Sequence, residues 1–224
     1  MSKKFDLAIY STYCGTTDNS TFKKNYVKGK YDYFFISNNT TILNTAKKYG
    51  WTPIFFDEKI FDDKLISAYQ AKKAKALPHK FNELKNYDYT FYIDDKGIPN
   101  TSKIENTIIE LNNSKGSLGI RAHPWLKNNN LLEFAEAMLQ PRYRVECNKT
   151  ADYINFAIKE GYVLKSQMYW TSAILRNMKH EDTISLNELW YEHINKCGPN
   201  CQISFNFISQ KFSSIVLLPQ DITD

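Results

Sequence analysis

The chain has 224 residues and a mass of 26.2 kDa; 42% of its residues are hydrophobic, and 29 Lys and Arg against 24 Asp and Glu leave a net charge of +5. That composition suits one compact domain over residues 1–224 and excludes a disordered chain. The positive charge is mild and dispersed, compatible with anionic small molecules or weak attraction to polynucleotides but with no basic tail.

The first six residues, Met-Ser-Lys-Lys-Phe-Asp, hold no signal-peptide core, and no stretch approaches the roughly eighteen apolar residues of a membrane span, so a soluble, cytoplasmic protein is expected. Phe5 to Tyr10 reads as a first strand. It empties into Ser11, Thr12, Tyr13, Cys14 and Gly15, small and polar residues that can offer N–H groups and hydroxyls to a nucleotide. The Gly-Lys-Ser/Thr ending of a phosphate loop is missing, and a plain strand-to-helix turn would look the same. Tyr31 to Ser37 predicts a second strand with Asn38 at its polar end, and Thr41 to Tyr49 a short helix closed by Gly50. A third strand, Trp51 to Phe56, carries Pro53 and so belongs at an edge or a strand start.

From Asp63 to Ala76 apolar residues recur at helical spacing, with Asp62 or Asp63 able to cap the start. Lys72, Lys73 and Lys75 crowd the last turns, and Pro78 ends the helix before His79 and Lys80. Such lysines usually form a solvated face; Lys72, Lys75 and Lys80 are also placed to neutralise a phosphate. Then comes Tyr87-Asp-Tyr-Thr-Phe-Tyr-Ile-Asp-Asp-Lys96, an aromatic, β-favouring run ending abruptly in Asp94 and Asp95. Acids at the end of a buried strand need a cation, a donor or water to satisfy them, and ligands of open α/β sheets bind at that edge. The plainer reading is a surface turn.

Beyond the acidic turn, Ser102-x-x-Glu105, Asn130-x-x-Glu133 and Ser185-x-x-Glu188 read as capping boxes, opening helices through Leu111, over Leu131 to Leu139, and over Leu186 to Lys196. Thr150 is positioned to cap a helix running to Glu160. Gly116 to Ala122, Gln167 to Arg176 and Ser214 to Leu218 predict further strands, and Ser204 to Phe212 fits strand or helix. Of the four cysteines only Cys197 and Cys201 lie close in sequence. Two thiols do not make a zinc site without ligands from elsewhere, so free thiols are expected.

Strands alternating with helices predict an α/β fold: a mixed, mainly parallel sheet flanked by helices on both faces, with the polar strand ends gathered along one edge. Ala74-Lys-Ala-Leu-Pro-His-Lys80, Tyr87 to Asp95, His123-Pro-Trp125, Ile174-Leu-Arg176, Leu189-Trp190 and Gln202-Ile-Ser-Phe205 together resemble the GT-A superfamily of glycosyltransferases, whose fold is Rossmann-like. More narrowly they are similar to small transferase domains of chlorella-type viruses and a related glycosyltransferase-like family of plants and bacteria. The resemblance implies a nucleotide-sugar donor, probed first as a UDP-sugar, bound by residues 1–100, and a glycan acceptor bound by residues 101–224. It also implies Mn2+ or Mg2+ held at an Asp-x-Asp-like motif, here Asp94-Asp95-Lys96 with a lysine in place of the second acid. Where related families carry an acid before the glutamine of the last block, this chain has Cys201.

Transfer of a hexose from such a donor requires neutralisation of the leaving diphosphate, an aimed acceptor and, for inversion, a base. Trp125, Tyr169 and Trp170 are candidate acceptor platforms. His123 and Asp182 are candidate bases, Asp95 could face the acceptor, and His180 is a candidate metal ligand; each also reads as an ordinary loop or turn residue. A non-catalytic sugar- or nucleic-acid-binding module and a nucleotidyltransferase are the competing functions. Dispersed lysines and the lack of an RNA-binding signature oppose specific nucleic-acid binding, and no glycine-rich triphosphate loop supports the nucleotidyltransferase.

Overall fold

A computed structural model describes residues 3–16, 27–94, 97–125, 130–165, 168–212 and 215–223. The first strand, β1 (Leu7–Thr12), is buried throughout and alternates between two cores. Leu7 and Ile9 face one, with Phe91 and Ile93; Ala8 and Tyr10 face the other, with Tyr92. Such a strand is covered on both sides, as its continuous apolar run predicts. Parallel to it lie β2 (Asp32–Ser37) and β4 (Tyr89–Ile93), and β3 (Thr52–Phe55) pairs with β2. The four stand side by side as expected, with Pro53 on the edge strand. The sheet continues through β6 (Tyr169–Asn177), β5 (Leu118–Ala122) and β7 (Ile215–Leu218), in the order β3-β2-β1-β4-β6-β5-β7. Only β6 runs against the others.

Helices α1 (Thr40–Lys48) and α3 (Thr101–Asn113) cover one face through Ile42, Ala46, Ile104 and Ile108. On the other lie α2 (Lys64–Ala76), α7 (Glu181–Cys197) and α8 (Cys201–Ile208), contributing Ala74, Trp190 and Phe205. Helix α6 (Cys147–Lys159) packs outside α7 and α8 through Tyr153, Ile154 and Ala157. The segment Ser204 to Phe212, ambiguous in sequence, is mostly α8. No described helix is long and apolar enough to cross a membrane.

Four helix starts differ from expectation. Asn100, not Ser102, caps α3, its Oδ1 accepting from Lys103 N, and His180 Nδ1 caps α7 five residues before Ser185, where the expected capping box begins. Thr150 lies inside α6, where its hydroxyl donates to Cys197 O at 2.8 Å and ties α6 to the end of α7. Glu133 closes no capping box either: it is buried and bound to Asn200. Asp63 does cap α2, accepting from Leu65 N and Ile66 N.

One buried cation locks the layers. Arg176 of β6, fully buried, donates through Nε to Asn187 Oδ1 (2.8 Å), through Nη1 to Tyr10 Oη (3.0 Å) and through Nη2 to Lys75 O (3.0 Å). It thereby joins α7, β1 and the end of α2.

Candidate active site

Because every strand but β6 points the same way, the carboxyl ends of β1, β4 and β5 and the amino end of β6 share one sheet edge. Two cavities open there. The larger, about 910 Å³, lies over the end of β1 and is lined by Thr12, Tyr13, Gly15, Asp63 and Leu65 among others. The smaller, about 580 Å³, lies over β5 and β6 and takes in His123, Trp125, Glu133, Trp170, Thr171 and Cys201. They meet at Lys72, Asp94, Gln140, Arg142 and Tyr143, which line both.

Asp94 is the first residue beyond β4, and its backbone N–H donates to Ser172 O at 2.9 Å. Alternation puts its side chain on the α2 side with Tyr92, whose hydroxyl donates to Asp94 Oδ1 at 2.7 Å. Lys75 Nζ lies 3.6 Å from the same oxygen. The carboxylate is 44% exposed toward the junction, whereas the Lys75 side chain is only 2% exposed. Burial pushes the Asp94 carboxyl up, but Lys75, Lys72 and the Tyr92 hydroxyl outweigh it and hold its pKa below the usual carboxylate value. Burial holds Lys75 below the ordinary lysine value, against the opposing pull of Cys201 and Asp94. The solvated-face reading of the lysines therefore fails for Lys75, and Lys72 is half-buried beside it. Lys73 alone turns outward, to Glu58.

The α2 end, β6 and α8 share a polar chain. Lys75 Nζ donates to Thr171 Oγ1 at 3.3 Å, and that hydroxyl lies 3.4 Å from Cys201 Sγ. Cys201 opens α8, where helix N-termini favour thiolates. Burial raises its pKa, but Lys72, Lys75 and the Thr171 hydroxyl bring it below the ordinary thiol value. Cys14, by contrast, is pushed up to about 12, mainly by burial. At pH 7 iodoacetamide is expected to modify Cys201 at least about tenfold faster than Cys14, and a donor filling the junction should slow it. Peptide mapping by mass spectrometry reads both rates; an inert Cys201 would mean that burial dominates the two lysines.

Around the smaller cavity, the His123 ring stands 6.1 Å from Trp125 and 5.7 Å from Trp170 between centroids. The Arg121 guanidinium lies 4.2 Å over Trp170 and also bonds Ser172, Gln220 and Thr223, fixing that wall. Trp125 is 75% exposed at the mouth. Burial lowers the His123 pKa, favouring the neutral ring.

Several expected residues stand elsewhere. Ser11 is fully buried and lines neither cavity. Asn38 is 2% exposed and committed to shaping the loop: it accepts from Gly15 N and donates to Lys59 O and Gln70 Oε1. Gly15 itself has φ +117°, and a Cβ there would meet Ser67 Oγ at 2.8 Å, so glycine is required. Lys80 pairs on the surface with Glu188, 2.6 Å away, and His79 joins the same carboxylate. Asp182 follows the carboxyl end of antiparallel β6, which lies opposite the start of β4, so it sits at the other edge of the sheet. It cannot act in these cavities. His180, beside it, bonds Lys115 O. Tyr169 packs edge-on against Phe205 in the core and does not line the smaller cavity. Asp95, Lys96, Gln167 and Ser214 lie outside the described residues. Arg142, Tyr143 and Gln140, around the short helix α5 (Pro141–Arg144), carry no sequence motif and were missed.

Among the described residues no group of three or more His, Cys, Asp or Glu side chains gathers to hold a metal alone. Asp94 nevertheless fits an ion that takes most ligands from a diphosphate and water: it is ionised, oxygen-bearing and exposed at the junction.

No protein-family model matches the sequence, and no curated protein matches it. Solved structures do resemble it. The WbbM bifunctional glycosyltransferase, in its apo structure, superposes with a TM-score of 0.53 at 11% identity, covering 97% of this chain and 39% of that one. Mouse xyloside xylosyltransferase 1 gives 0.49 at 11% identity over 95% of this chain and 84% of its own. Core-mannan synthase A from Aspergillus fumigatus, in a Mn/GDP form, gives 0.47 at 11% identity over 96% and 73%. The chain thus spans about two fifths of the length of WbbM. At this identity the likeness is one of fold: the chain has an α/β, GT-A-like architecture, with a mainly parallel seven-stranded sheet between helical layers.

Proposed function

We propose that this chain is a glycosyltransferase of the hexosyltransferase type, moving a sugar from a nucleotide-sugar, first of all a UDP-sugar, to a glycan acceptor with help from Mn2+ or Mg2+. The observation that carries the reading is the meeting of two cavities at one carboxylate ringed by cations. A nucleoside fits the larger cavity over Thr12 and Tyr13, in residues 1–100, and an acceptor the smaller one, walled largely by residues 101–224. The diphosphate then falls at the junction, facing Lys72 and Arg142. Charge grows on that diphosphate as the glycosidic bond breaks, so fixed cations there favour the transition state over the ground state.

Asp94 would hold the metal, which supplies further neutralisation of the diphosphate when bound. Lys75 keeps Asp94 ionised and aimed. The His123, Trp125 and Trp170 wall offers stacking faces and a ring nitrogen to an acceptor sugar. The same wall would also suit a sugar-binding module without catalysis, but such a module has no need of the cationic junction.

A thermal-shift panel of UDP-glucose, UDP-galactose, GDP-mannose and random single-stranded DNA, with and without Mn2+, tests the proposal. A ligand at one hundred times its Kd stabilises by about 2.7 kcal/mol, several degrees in a domain of this size. A nucleotide-sugar is expected to raise the melting temperature, and more so with Mn2+. Salt-sensitive DNA binding with no nucleotide-sugar response would instead favour a nucleic-acid module.

A further inference from the structure

We propose that Glu133 is the group that receives the proton of the attacking acceptor hydroxyl, so that transfer inverts the anomeric centre; this rests on the glycosyltransferase reading. The assignment begins with where α4 (Asn130–Met138) puts its buried face. Glu133 is 7% exposed, yet it lines the smaller cavity together with Asp94, His123, Trp125 and Trp170. A carboxyl seldom occupies such a place without a cation, and no ion pair of Glu133 occurs among the described residues. Its partners are neutral amides. Asn200 Nδ2 donates to Glu133 Oε1 at 2.9 Å, and the Gln202 amide bonds it as well. Gln202 Oε1 accepts from Thr171 N at 3.3 Å, which fixes the amide with its NH2 turned toward Glu133. The carboxyl is therefore aimed by hydrogen bonds that do not neutralise it.

The other carboxylates lining this cavity suit the task less well. Asp94 is bound to Tyr92 and Lys75 at the donor junction, and a carboxylate so stabilised is a weak base. Glu136, one turn further along α4, is exposed. Burial raises the proton affinity of Glu133, Asn200 and Gln202 reduce it by less, and Glu136 adds a little. A base is most effective when its pKa approaches the working pH.

The step balances simply. The acceptor oxygen bonds to the anomeric carbon as the bond from that carbon to the diphosphate breaks, and the electron pair leaves on the nucleoside diphosphate. The hydroxyl proton passes to a Glu133 oxygen and from there to water after release. Inversion requires an acceptor in the smaller cavity to attack from the side of the sugar opposite a diphosphate held at the junction, where the two cavities meet.

The experiment uses the whole chain with UDP-glucose or GDP-mannose, Mn2+, and two nucleophiles, water and azide. Water must lose a proton on attack; azide has none to lose. In Glu133→Gln, hydrolysis is expected to fall about 10²–10⁴-fold, while azide transfer stays within about threefold and gives the inverted glycosyl azide. Glu133→Asp, which keeps the acid, should retain the acid limb of the pH–rate profile, and His123→Gln should retain it too. The charged and titratable groups facing Glu133 across the cavity are Lys72 and Lys75 on α2, Asp94, His123, Arg142 and Tyr143 on α5, Cys201 on α8 and Glu136 on its own helix. Loss of the limb in Glu133→Gln alone isolates its source. Equal losses with water and azide at an unchanged melting temperature would reduce Glu133 to a structural tether, and a retained configuration would overturn inversion. Donor binding with undiminished hydrolysis in Glu133→Gln overturns the assignment alone. A wild-type protein that neither binds nor hydrolyses either donor overturns the glycosyltransferase reading and the assignment with it.

Discussion

Arg176→Met is expected to cost about 2–4 kcal/mol of folding stability, a large share of the roughly 5–15 kcal/mol typical of such domains. The methionine roughly fills the space, and it relieves the burial of a guanidinium that burial already holds below its ordinary pKa. Three charge-assisted hydrogen bonds are lost in exchange, each worth about 1.5–3 kcal/mol net. Asn187 suffers most, because its Oδ1 loses its donor while its Nδ2 already has no partner among the described residues. Tyr10 keeps one bond, to Lys75 O. The hydrogen-bond loss outweighs the desolvation relief. Since Arg176 also holds the Lys75 carbonyl, donor affinity should weaken in the fraction that remains folded. Urea unfolding gives the stability change, and an unchanged midpoint and slope would show that the buried charge costs as much as its bonds return.

The features legible in the sequence were those set by local patterning. Alternation along Tyr89 to Ile93 and the abrupt acids after it placed β4 and Asp94 at a sheet edge, because a strand's side-chain period survives into any sheet. Pro53 marked an edge strand for an equally local reason, its missing N–H. Asp182 was misread because its own neighbourhood says nothing about direction. Only the antiparallel pairing of β6 with β4, a contact between residues Tyr89 and Asn177 far apart in sequence, sends it to the wrong edge. Three lysines near a helix end look solvated until a strand brings Asp94 to one of them. The capping boxes at Ser102 and Ser185 misled because Asn100 and His180 cap their helices earlier, and a Ser/Thr-x-x-Glu pattern is equally at home inside a helix. Arg142 and Tyr143 reach the junction only through the fold of α4 and α5 over the sheet edge, which no short-range pattern encodes.

Asp94→Asn is expected to separate metal from donor. The substitution keeps the shape and the hydrogen bond available from Tyr92 while removing the anionic oxygen that a hard divalent ion prefers. The gain in donor affinity that Mn2+ confers should therefore shrink at least about tenfold, or about 1.4 kcal/mol, and turnover should fall about 10²–10³-fold, the usual scale for losing one charge-stabilising group. Metal-free affinity for UDP should move the other way, because Lys72, Lys75 and Arg142 then face the diphosphate without an opposing carboxylate. Stability near neutral pH should fall modestly, because Lys75, only 2% exposed, loses its carboxylate partner, while the 44% exposure of Asp94 limits the loss. Because its folded pKa is depressed, Asp94 adds stability above the unfolded value of about 3.9 and loses it as pH falls through the folded one, so its protonation should leave the range from pH 5 to 8 untouched. Calorimetric titration of UDP into wild type and variant, with Mn2+ and with a chelator, measures both terms. If the Mn2+-dependent gain survives intact in Asp94→Asn, the ion is held elsewhere and the carboxylate serves only to position Lys75.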